Sequence, residues 1–439
     1  MSQQSNEALP RILVIGGGAG GLELATRLGR SLGKKKRAHI TLADSNMTHI
    51  WKPLLHEVAA GSLNSTEDEL NYVAQAKWNH FRFQLGCMTG VDRERRLVTF
   101  GAINDEQGEE LIPERQLGYD YLVIAVGSTT NDFNTQGAAE HCLFLDTRAQ
   151  AERFHRLLLN QYMKAQANGE QEMSDPINVA IIGAGATGVE LAAELQHAAR
   201  MLQAYGLDRI RPEDLNINLI EASGRLLPAL PERISEPVTQ TLKDLGVKLH
   251  TGSPVKQVTA EGLLLDNGET IPASLKVWAA GIRGPAFLTG LGLETNRINQ
   301  LVVSRTLQTS QDPRVFAFGD CAACPMGDEG RSVPPRAQAA HQQATLLAKN
   351  LQRTLEGKPL LEYSYRDYGS LISLASFSAV GNLMGNVTGN VMLEGRIARM
   401  FYISLYRMHQ MALYGIPRTL MLMLSDRIGR STEPRLKLH

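Results

Sequence analysis

The sequence predicts an α/β fold, because one apolar strand, one glycine-rich turn and one helix occur twice in the same order. The two copies are Arg11–Leu32, which contains Gly16-x-Gly18-x-x-Gly21, and Asn178–Leu202, which contains Gly183-x-Gly185-x-x-Gly188. Each strand is short, apolar and rich in β-branched residues, which is typical of a parallel strand buried on both faces. A doubly wound α/β layer is therefore expected in each half of the chain.

Each copy continues to a second strand that ends in an acidic residue, Asp44 in the first and Glu221 in the second. Each also has a later strand that stops at a glycine, Gly127 and Gly281. The glycines permit the turn, the approach of a pyrophosphate and the packing of helix on strand, while the acidic residue accepts hydrogen bonds from ribose hydroxyls. One such motif is weak evidence, but two copies predict two Rossmann-like dinucleotide-binding domains.

The composition narrows the class of protein. The 439 residues include 45 Lys+Arg and 45 Asp+Glu, so no overall charge favours nucleic acid. Four cysteines are too few for a disulfide framework and fit a reducing compartment. The polar segment 1–10 does not resemble a secretory signal, and no stretch has the roughly 18 apolar residues needed to cross a bilayer. We therefore expect a protein that stays on the cytoplasmic side.

Three further strings carry a family resemblance: Trp51-Lys-Pro-Leu-Leu-His-Glu57, Gly319-Asp320-Cys321 and Ala337-Gln338-Ala-Ala-His-Gln342. With the two glycine motifs, they make the chain resemble the glutathione-reductase-like flavoproteins with two dinucleotide-binding domains, from residue 11 to residue 439. Within these it is very similar to the bacterial type II NADH:quinone oxidoreductases. The resemblance implies a non-proton-pumping NADH dehydrogenase of the respiratory chain. Such an enzyme transfers hydride from NADH to non-covalently bound FAD and passes the electrons to a membrane quinone such as ubiquinone.

The resemblance assigns the first repeat to FAD. The implied FAD-binding residues are Gly16, Gly18, Gly21, Asp44, Lys52, Pro53, Ala125, Gly127, Gly319, Asp320, Ala337 and Gln338. Asp320 is expected to bond the ribityl chain, and Lys52 and Pro53 to lie near the flavin. The helix that starts after the proline pair 334–335 is expected to direct its N-terminal N–H groups at the flavin's pyrimidine carbonyl.

The second repeat is assigned to NADH by the same resemblance. The implied NADH-binding residues are Gly183, Gly185, Gly188, Glu190, Glu221 and Gly281. A carboxylate at the ribose repels a 2′-phosphate, so Glu221 favours NADH over NADPH, and we interpret the nearby Arg225 as a solvated loop residue. Glu190 is expected close to the nicotinamide and the flavin, with an effect on turnover. Glu23 has the equivalent position in the first repeat, so a general feature of this helix is the alternative.

Gln338 and Gln342 predict the quinone site. They are four residues apart on one face of a helix, where two amides can hydrogen-bond a quinone carbonyl. The family associates this string with the quinone site. The alternative is that glutamine is simply a good helix former at a surface.

The cysteines test other enzyme classes. Residues 45–70 contain no cysteine, which argues against a disulfide reductase. A sulfide:quinone oxidoreductase needs two cysteines beside the flavin, and neither Cys142 nor Cys321 lies in a matching string. The single Cys321-x-x-Cys324 pair is poor evidence for zinc, and no metal is expected. A soluble reductase of ferredoxin or rubredoxin and a non-enzymatic redox sensor are the remaining alternatives.

The C-terminal segment differs from the rest of the chain. From Arg396 onward it has eight Lys/Arg against two acidic residues, interleaved with apolar and aromatic residues and broken near Gly415 and Pro417. A basic, amphipathic segment too short to span predicts helices that lie in the interface of an anionic bilayer. An oligomer interface is the competing interpretation, and a homodimer is expected. The protein is expected at the cytoplasmic face of the bacterial inner membrane, peripherally bound.

These assignments predict the domain limits. The FAD domain takes residues 1–150 and 285–385, the NADH domain residues 151–284, and the membrane-binding region residues 386–439.

Overall fold

The computed structural model describes residues 9–63, 69–167, 176–204, 211–327, 330–375, 378–385, 389–394 and 406–429. In these ranges the α-helices are, in chain order, α1 (Ala19–Leu28), α2 (Leu55–Ala60), α3 (Tyr72–Asn79), α4 (Ala138–His141), α5 (Arg148–Ala167), α6 (Ala186–Ala204), α7 (Glu232–Asp244), α8 (Ala337–Leu355), α9 (406–414) and α10 (Ile416–Gly429). Short 3-10 or π segments are Gly29–Gly33, Lys52–Leu54, Pro212–Asp214, Ala286–Leu291 and Gly319–Cys321. The chain forms two compact units.

The first unit consists of Met1–Ile50, Glu69–Thr129 and Arg283–Asp367. Its main sheet has five parallel strands, in the spatial order Val315–Ala317, Tyr121–Ile124, Arg11–Ile15, His39–Asp44 and Arg82–Leu85. The apolar strand before the first glycine turn is central, and its residues Ile12 to Ile15 are buried. Burial on both faces explains why that strand is continuously apolar.

Smaller elements complete the first unit. Met88–Asp92, Leu97–Phe100 and Arg115–Gly118 form a three-stranded antiparallel sheet. The short strand pairs are Thr48–His49 with Leu70–Asn71, Ile103–Asn104 with Glu110–Ile112, Leu301–Val302 with Ala322–Ala323, and Pro325–Met326 with Arg331–Ser332. Helix α8 packs on α1, and both helices follow glycine- or proline-containing turns at the strand ends. This arrangement places the start of α8 beside the first nucleotide motif within the unit.

The second unit consists of Trp51–Asp68, Thr130–Ile282 and Tyr368–His439. Its main sheet is also parallel and five-stranded, in the order Leu143–Phe144, Leu275–Trp278, Ile177–Ile182, Leu215–Glu221 and Lys248–Thr251. Two three-stranded antiparallel sheets accompany it: Val255–Val258, Gly262–Leu265 and Thr270–Pro272, and Gly369–Leu374, Ser378–Gly385 and Gly389–Glu394. Strands Leu143–Phe144, Thr129–Thr130 and Ile282–Arg283 are short, and the last two span the points where the chain passes between units.

Two units of the same parallel architecture confirm the predicted α/β fold. The predicted boundaries at residues 150, 284 and 385 separate domains by the cofactor that each one binds. The two compact units do not test that assignment, so these boundaries stay predictions.

The C-terminal helices α9 and α10 are separated at Gly415, close to the break that the sequence predicts. Pro417 is the second residue of α10, where a proline is tolerated because its missing N–H has no helical partner to lose. Apolar side chains of α10 face solvent, with Leu420, Met421 and Leu424 exposed by 58%, 70% and 62%. Among the described residues, no helix combines the length and apolar character needed to cross a membrane. Arg396 and Arg399 lie outside those residues.

Candidate functional site

The first glycine turn has the backbone of a nucleotide-binding loop. Gly16 has a φ of +98°, and a Cβ there would lie 2.5 Å from the carbonyl oxygen of Ala125. A Cβ on Gly21 would overlap the carbonyl oxygen of Gly16. A Cβ on Gly18 would meet nothing within 4 Å. Two of the glycines are thus required by the turn and the helix packing, while Gly18 borders open space that fits a pyrophosphate.

The second turn repeats this geometry. Gly183 has a φ of +101°, and a Cβ there would lie 2.7 Å from Cα of Ala280. A Cβ on Gly188 would overlap the carbonyl oxygen of Gly183, whereas one on Gly185 would meet nothing within 4 Å. In both loops, therefore, the first and third glycines are tightly packed and the second borders open space.

Both acidic residues at the second strands close their glycine turns. Oδ2 of Asp44 accepts a hydrogen bond of 2.6 Å from the N–H of Gly17, and Oε2 of Glu221 accepts one of 2.8 Å from the N–H of Ala184. The second carboxylate oxygen of Glu221 accepts from the N–H of Ser223 at 2.9 Å. Each carboxylate is held at the mouth of a glycine turn. That is where a ribose of a bound dinucleotide is expected.

The segment around Asp320 lies at the carboxyl end of the first unit's sheet. Oδ2 of Asp320 accepts a hydrogen bond of 3.0 Å from the hydroxyl of Ser128, one residue after Gly127. The N–H of Gly319 donates to Oε1 of Gln343 in α8 at 2.8 Å. Two adjacent parallel strands, one ending at Ile124 and the other at Ala317, bring these residues together. Ser128 and Gln343 were missed from the sequence, because neither belongs to a recognised motif.

The first turns of α8 contain Ala337 and the two predicted quinone ligands. Nε2 of Gln338 donates to Oδ1 of Asp367 at 3.3 Å. The Gln342 amide donates to the carbonyl of Arg366 at 2.7 Å and accepts from the N–H of the same residue at 3.1 Å. Both glutamines therefore contact the segment 366–367, and their role as quinone ligands stays a prediction.

Lys52 and Pro53 belong to the second unit, in the 3-10 segment that precedes α2. Nζ of Lys52 lies 3.1 Å from Oδ1 of Asp146, whose carboxylate also accepts from the N–H of Thr130. Gly281, in the loop that follows the sheet strand Leu275–Trp278 of the same unit, accepts a backbone hydrogen bond from the N–H of Asn131. The assignment of these residues to cofactors stays a prediction.

Glu190, near the second glycine turn, has a carboxyl pKa far above the ordinary value for glutamate. It is buried in α6, and its Oε1 accepts a hydrogen bond of 3.0 Å from the N–H of Ser373. Its Oε2 lies 3.7 Å from Nδ1 of His56. The pKa of Glu190 is raised to about 8, chiefly by burial; the Ser373 hydrogen bond opposes this rise, and the nearby charges of Glu57 and Glu194 add to it. The carboxyl group is mostly neutral at pH 7 as a result.

The equivalent residue of the first repeat has a different environment. Glu23 is buried and accepts a hydrogen bond of 2.6 Å from the guanidinium of Arg27, and it lies 2.5 Å from Nδ1 of His341. The two glutamates thus share a position in the fold but not their partners. Glu190 lies among other carboxyl groups, whereas Glu23 lies beside a cation.

All four cysteines are free thiols, and three of them are buried. Cys142, Cys321 and Cys324 are buried, and this desolvation raises the pKa of each thiol to about 12. The Cys321 thiol donates to the carbonyl of Phe318 at 3.3 Å. Thiolate chemistry is therefore disfavoured at these positions at neutral pH.

Comparison with known proteins identifies relatives over the whole of this architecture. The family model of pyridine nucleotide-disulphide oxidoreductases matches residues 10–344. A type II NADH:quinone oxidoreductase of Haemophilus influenzae is 45% identical, covering 98% of this chain and 100% of that protein. A Staphylococcus aureus protein of the same name is 30% identical, covering 85% and 90%.

Two solved structures show the same fold at low identity. The NDH2 of Plasmodium falciparum in complex with NADH aligns with a TM-score of 0.79 at 18% identity, covering 93% of this chain and 99% of that one. The sulfide:quinone oxidoreductase of Aquifex aeolicus aligns with a TM-score of 0.72, also at 18% identity, covering 92% of each chain.

Proposed function

The chain belongs to the type II NADH:quinone oxidoreductase family, and we propose that it oxidises NADH and reduces a quinone of the respiratory chain without pumping protons. The observation that carries this proposal is the pair of glycine turns with equal geometry, each closed by a carboxylate at Asp44 or Glu221. Two dinucleotides fit such a pair. Bound FAD supplies the hydride acceptor that links a two-electron donor to a quinone.

In this proposal the first unit's motif holds FAD. The open face of Gly18 admits the pyrophosphate, Asp44 bonds the adenosine ribose, and Asp320 bonds the ribityl chain. The Ser128 hydroxyl orients the Asp320 carboxylate for that contact. Residues 1–150 and 285–385 are the proposed FAD domain.

The second motif holds NADH, within the proposed domain 151–284. The open face of Gly185 admits the pyrophosphate, and Glu221 bonds the adenosine ribose. Since its carboxylate is fixed by Ala184 and Ser223, Glu221 cannot turn away from a 2′-phosphate without losing two hydrogen bonds. Selectivity for NADH over NADPH follows from charge repulsion at this position.

Glu190 is the proposed proton carrier. Reduction of a quinone by NADH consumes one proton in addition to the transferred hydride. With a pKa raised to about 8, the Glu190 carboxyl holds a proton at neutral pH that it can donate. Gln338 and Gln342 are the proposed quinone ligands, exchanging their bonds to Asp367 and Arg366 for the quinone carbonyl.

We further propose peripheral attachment at the cytoplasmic face of the bacterial inner membrane, through residues 386–439. Support comes from the solvent-facing apolar side chains of α10, such as Leu420 and Leu424, together with the basic character of the tail. A quinone dissolved in the bilayer gives this contact its purpose. A homodimer that uses part of the same apolar surface is the proposed assembly.

The test uses purified protein whose released flavin is identified, with NADH and NADPH compared as donors to a water-soluble quinone. Rapid quinone reduction, slower by about tenfold or more with NADPH, supports both the function and the role of Glu221. Flavin that NADH bleaches but quinone does not reoxidise would show that the acceptor is wrong. A protein acceptor would then take the place of the quinone.

A further inference from the structure

A second cluster of polar side chains lies where α2 packs on α6, within the second unit. It consists of His56 and Glu57 from α2 and Glu194 from α6. One ligand-type atom from each residue lies within 4.8 Å of the others. His56 and Glu194 are buried, and the side chain of Glu57 is 21% exposed. Two of the three side chains are therefore shielded from solvent, and the third is partly open to it.

The imidazole of His56 is oriented as a ligand. Its Nε2 is buried, has no hydrogen-bond partner among the residues that the structure describes, and lies 4.0 Å from Oε1 of Glu57. The ring also hydrogen-bonds the backbone at Pro53. When one ring nitrogen donates to a carbonyl, the lone pair of the other nitrogen is available, and metal-ligating histidines are usually oriented in this way. Burial lowers the pKa of His56 to about 4, so that lone pair is present at neutral pH.

The carboxylates supply the complementary charge and their own support. Oε2 of Glu194 accepts a hydrogen bond of 2.9 Å from the hydroxyl of Ser62, and this hydroxyl also contacts the backbone carbonyl of Glu57 at 3.3 Å. This bond holds the Glu194 carboxylate toward α2. Two carboxylates so close repel each other, and a cation between them removes that repulsion.

We propose that His56, Glu57 and Glu194 bind one divalent transition-metal ion, of the class of Zn²⁺ or Mn²⁺. One imidazole nitrogen and two carboxylate oxygens form a ligand set that these ions accept, with water completing the coordination. Bonds of about 2.0–2.2 Å place neighbouring ligand atoms roughly 3–3.5 Å apart, so the three side chains close by about 1 Å around the ion. The ion joins α2 to α6 and enters past the exposed side of Glu57. The proposal does not depend on the nature of the electron acceptor.

The experiment measures metal binding by the FAD-loaded, full-length protein after treatment with a chelator. Mn²⁺ binding is followed by the electron paramagnetic resonance of the free ion, and Zn²⁺ binding by competition with a chromophoric chelator. We expect one site per chain. Substitutions H56Q and E194Q each remove a direct ligand, so each weakens it by at least the roughly 10- to 100-fold that loss of an outer-shell partner costs. The matched control is H141Q, which removes a histidine 3.8 Å from the exposed Glu140, and it leaves the affinity unchanged.

Flavin content and melting temperature establish that each variant is folded. If H56Q or E194Q fails this check, E57Q provides the comparison, because Glu57 is partly exposed and tolerates the change. Equal affinity in wild type and the folded cluster variants would overturn the proposal, as would the absence of a stoichiometric site in the wild type. Loss of affinity in H141Q to the same degree would indicate an adventitious surface ion and would overturn it as well.

Discussion

Replacement of Glu190 by glutamine is the sharpest test of the buried carboxyl group in α6. Glutamine has nearly the same shape, and its oxygen can still accept the hydrogen bond from the N–H of Ser373. It cannot ionise. The variant therefore removes the titration of Glu190 and keeps the packing.

The sign and size of the effect follow from the pKa of Glu190, which is about 8 instead of 4.5. A carboxyl group whose pKa is raised by folding contributes stability that is fully present below pH 4.5 and is lost as the pH rises to about 8. The wild type thus loses about 1.4 kcal/mol per pH unit relative to E190Q, and about 5 kcal/mol over the whole interval. Glutamine avoids this cost, so E190Q gains relative stability toward alkaline pH.

The assay is denaturant unfolding of both FAD-loaded proteins between pH 5 and pH 9, with a chelator present to keep metal ions away. The substitution E140Q, at a side chain that is 77% exposed, controls for the exchange of glutamate for glutamine itself. Turnover measured in parallel is expected to fall in the wild type as the pH rises through about 8, and to be low without this pH dependence in E190Q. A stability difference between E190Q and wild type that stays constant within about 0.5 kcal/mol across this range would refute the argument.

Three further predictions test the nucleotide turns and the C-terminal helix. G21A should fold poorly because its Cβ overlaps a backbone oxygen, whereas G18A should fold with weaker FAD retention; equal flavin content and melting temperature in both would contradict this. E221Q should reduce the preference for NADH over NADPH by about tenfold in steady-state kinetics, and an unchanged ratio would remove Glu221 from the specificity site. L420E should release the protein from vesicles of anionic lipid in a flotation assay, while L111E, at a leucine that is 67% exposed in the first unit, should not. Equal retention of both would argue against a membrane contact by α10.

Features that depend on short stretches of chain were predictable from the sequence. The Gly16 and Gly183 turns could be recognised because only glycine allows both the positive φ and the close approach of a neighbouring backbone. The parallel sheets followed from the wholly apolar strands, since burial on two faces leaves no polar position. The family resemblance then assigned cofactors to turns that physical argument alone leaves equivalent.

Partners from distant segments could not be predicted. Ser128 meets Asp320 only because two parallel strands are neighbours in the sheet, and that neighbour relation is a property of topology. Likewise, Gln342 was predicted from its helix position, but its bonds to Arg366 depend on how the chain returns after α8.

The sequence by itself determined the two glycine turns, the acidic residues beside them and the α/β class, because spacing and residue type act over a few positions. Only the tertiary structure decided the electrostatic state of Glu190. Its hydrogen-bond donor Ser373 is 183 positions away along the chain, and the neighbouring His56 comes from another helix. Glu23 and Glu190 have the same motif position but different partners: Glu23 forms an ion pair with Arg27, whereas Glu190 is buried near Glu57 and Glu194. The free energy of ionisation depends on the charges and hydrogen-bond partners that folding places within a few ångströms of the buried group. The local sequence does not determine which groups these are.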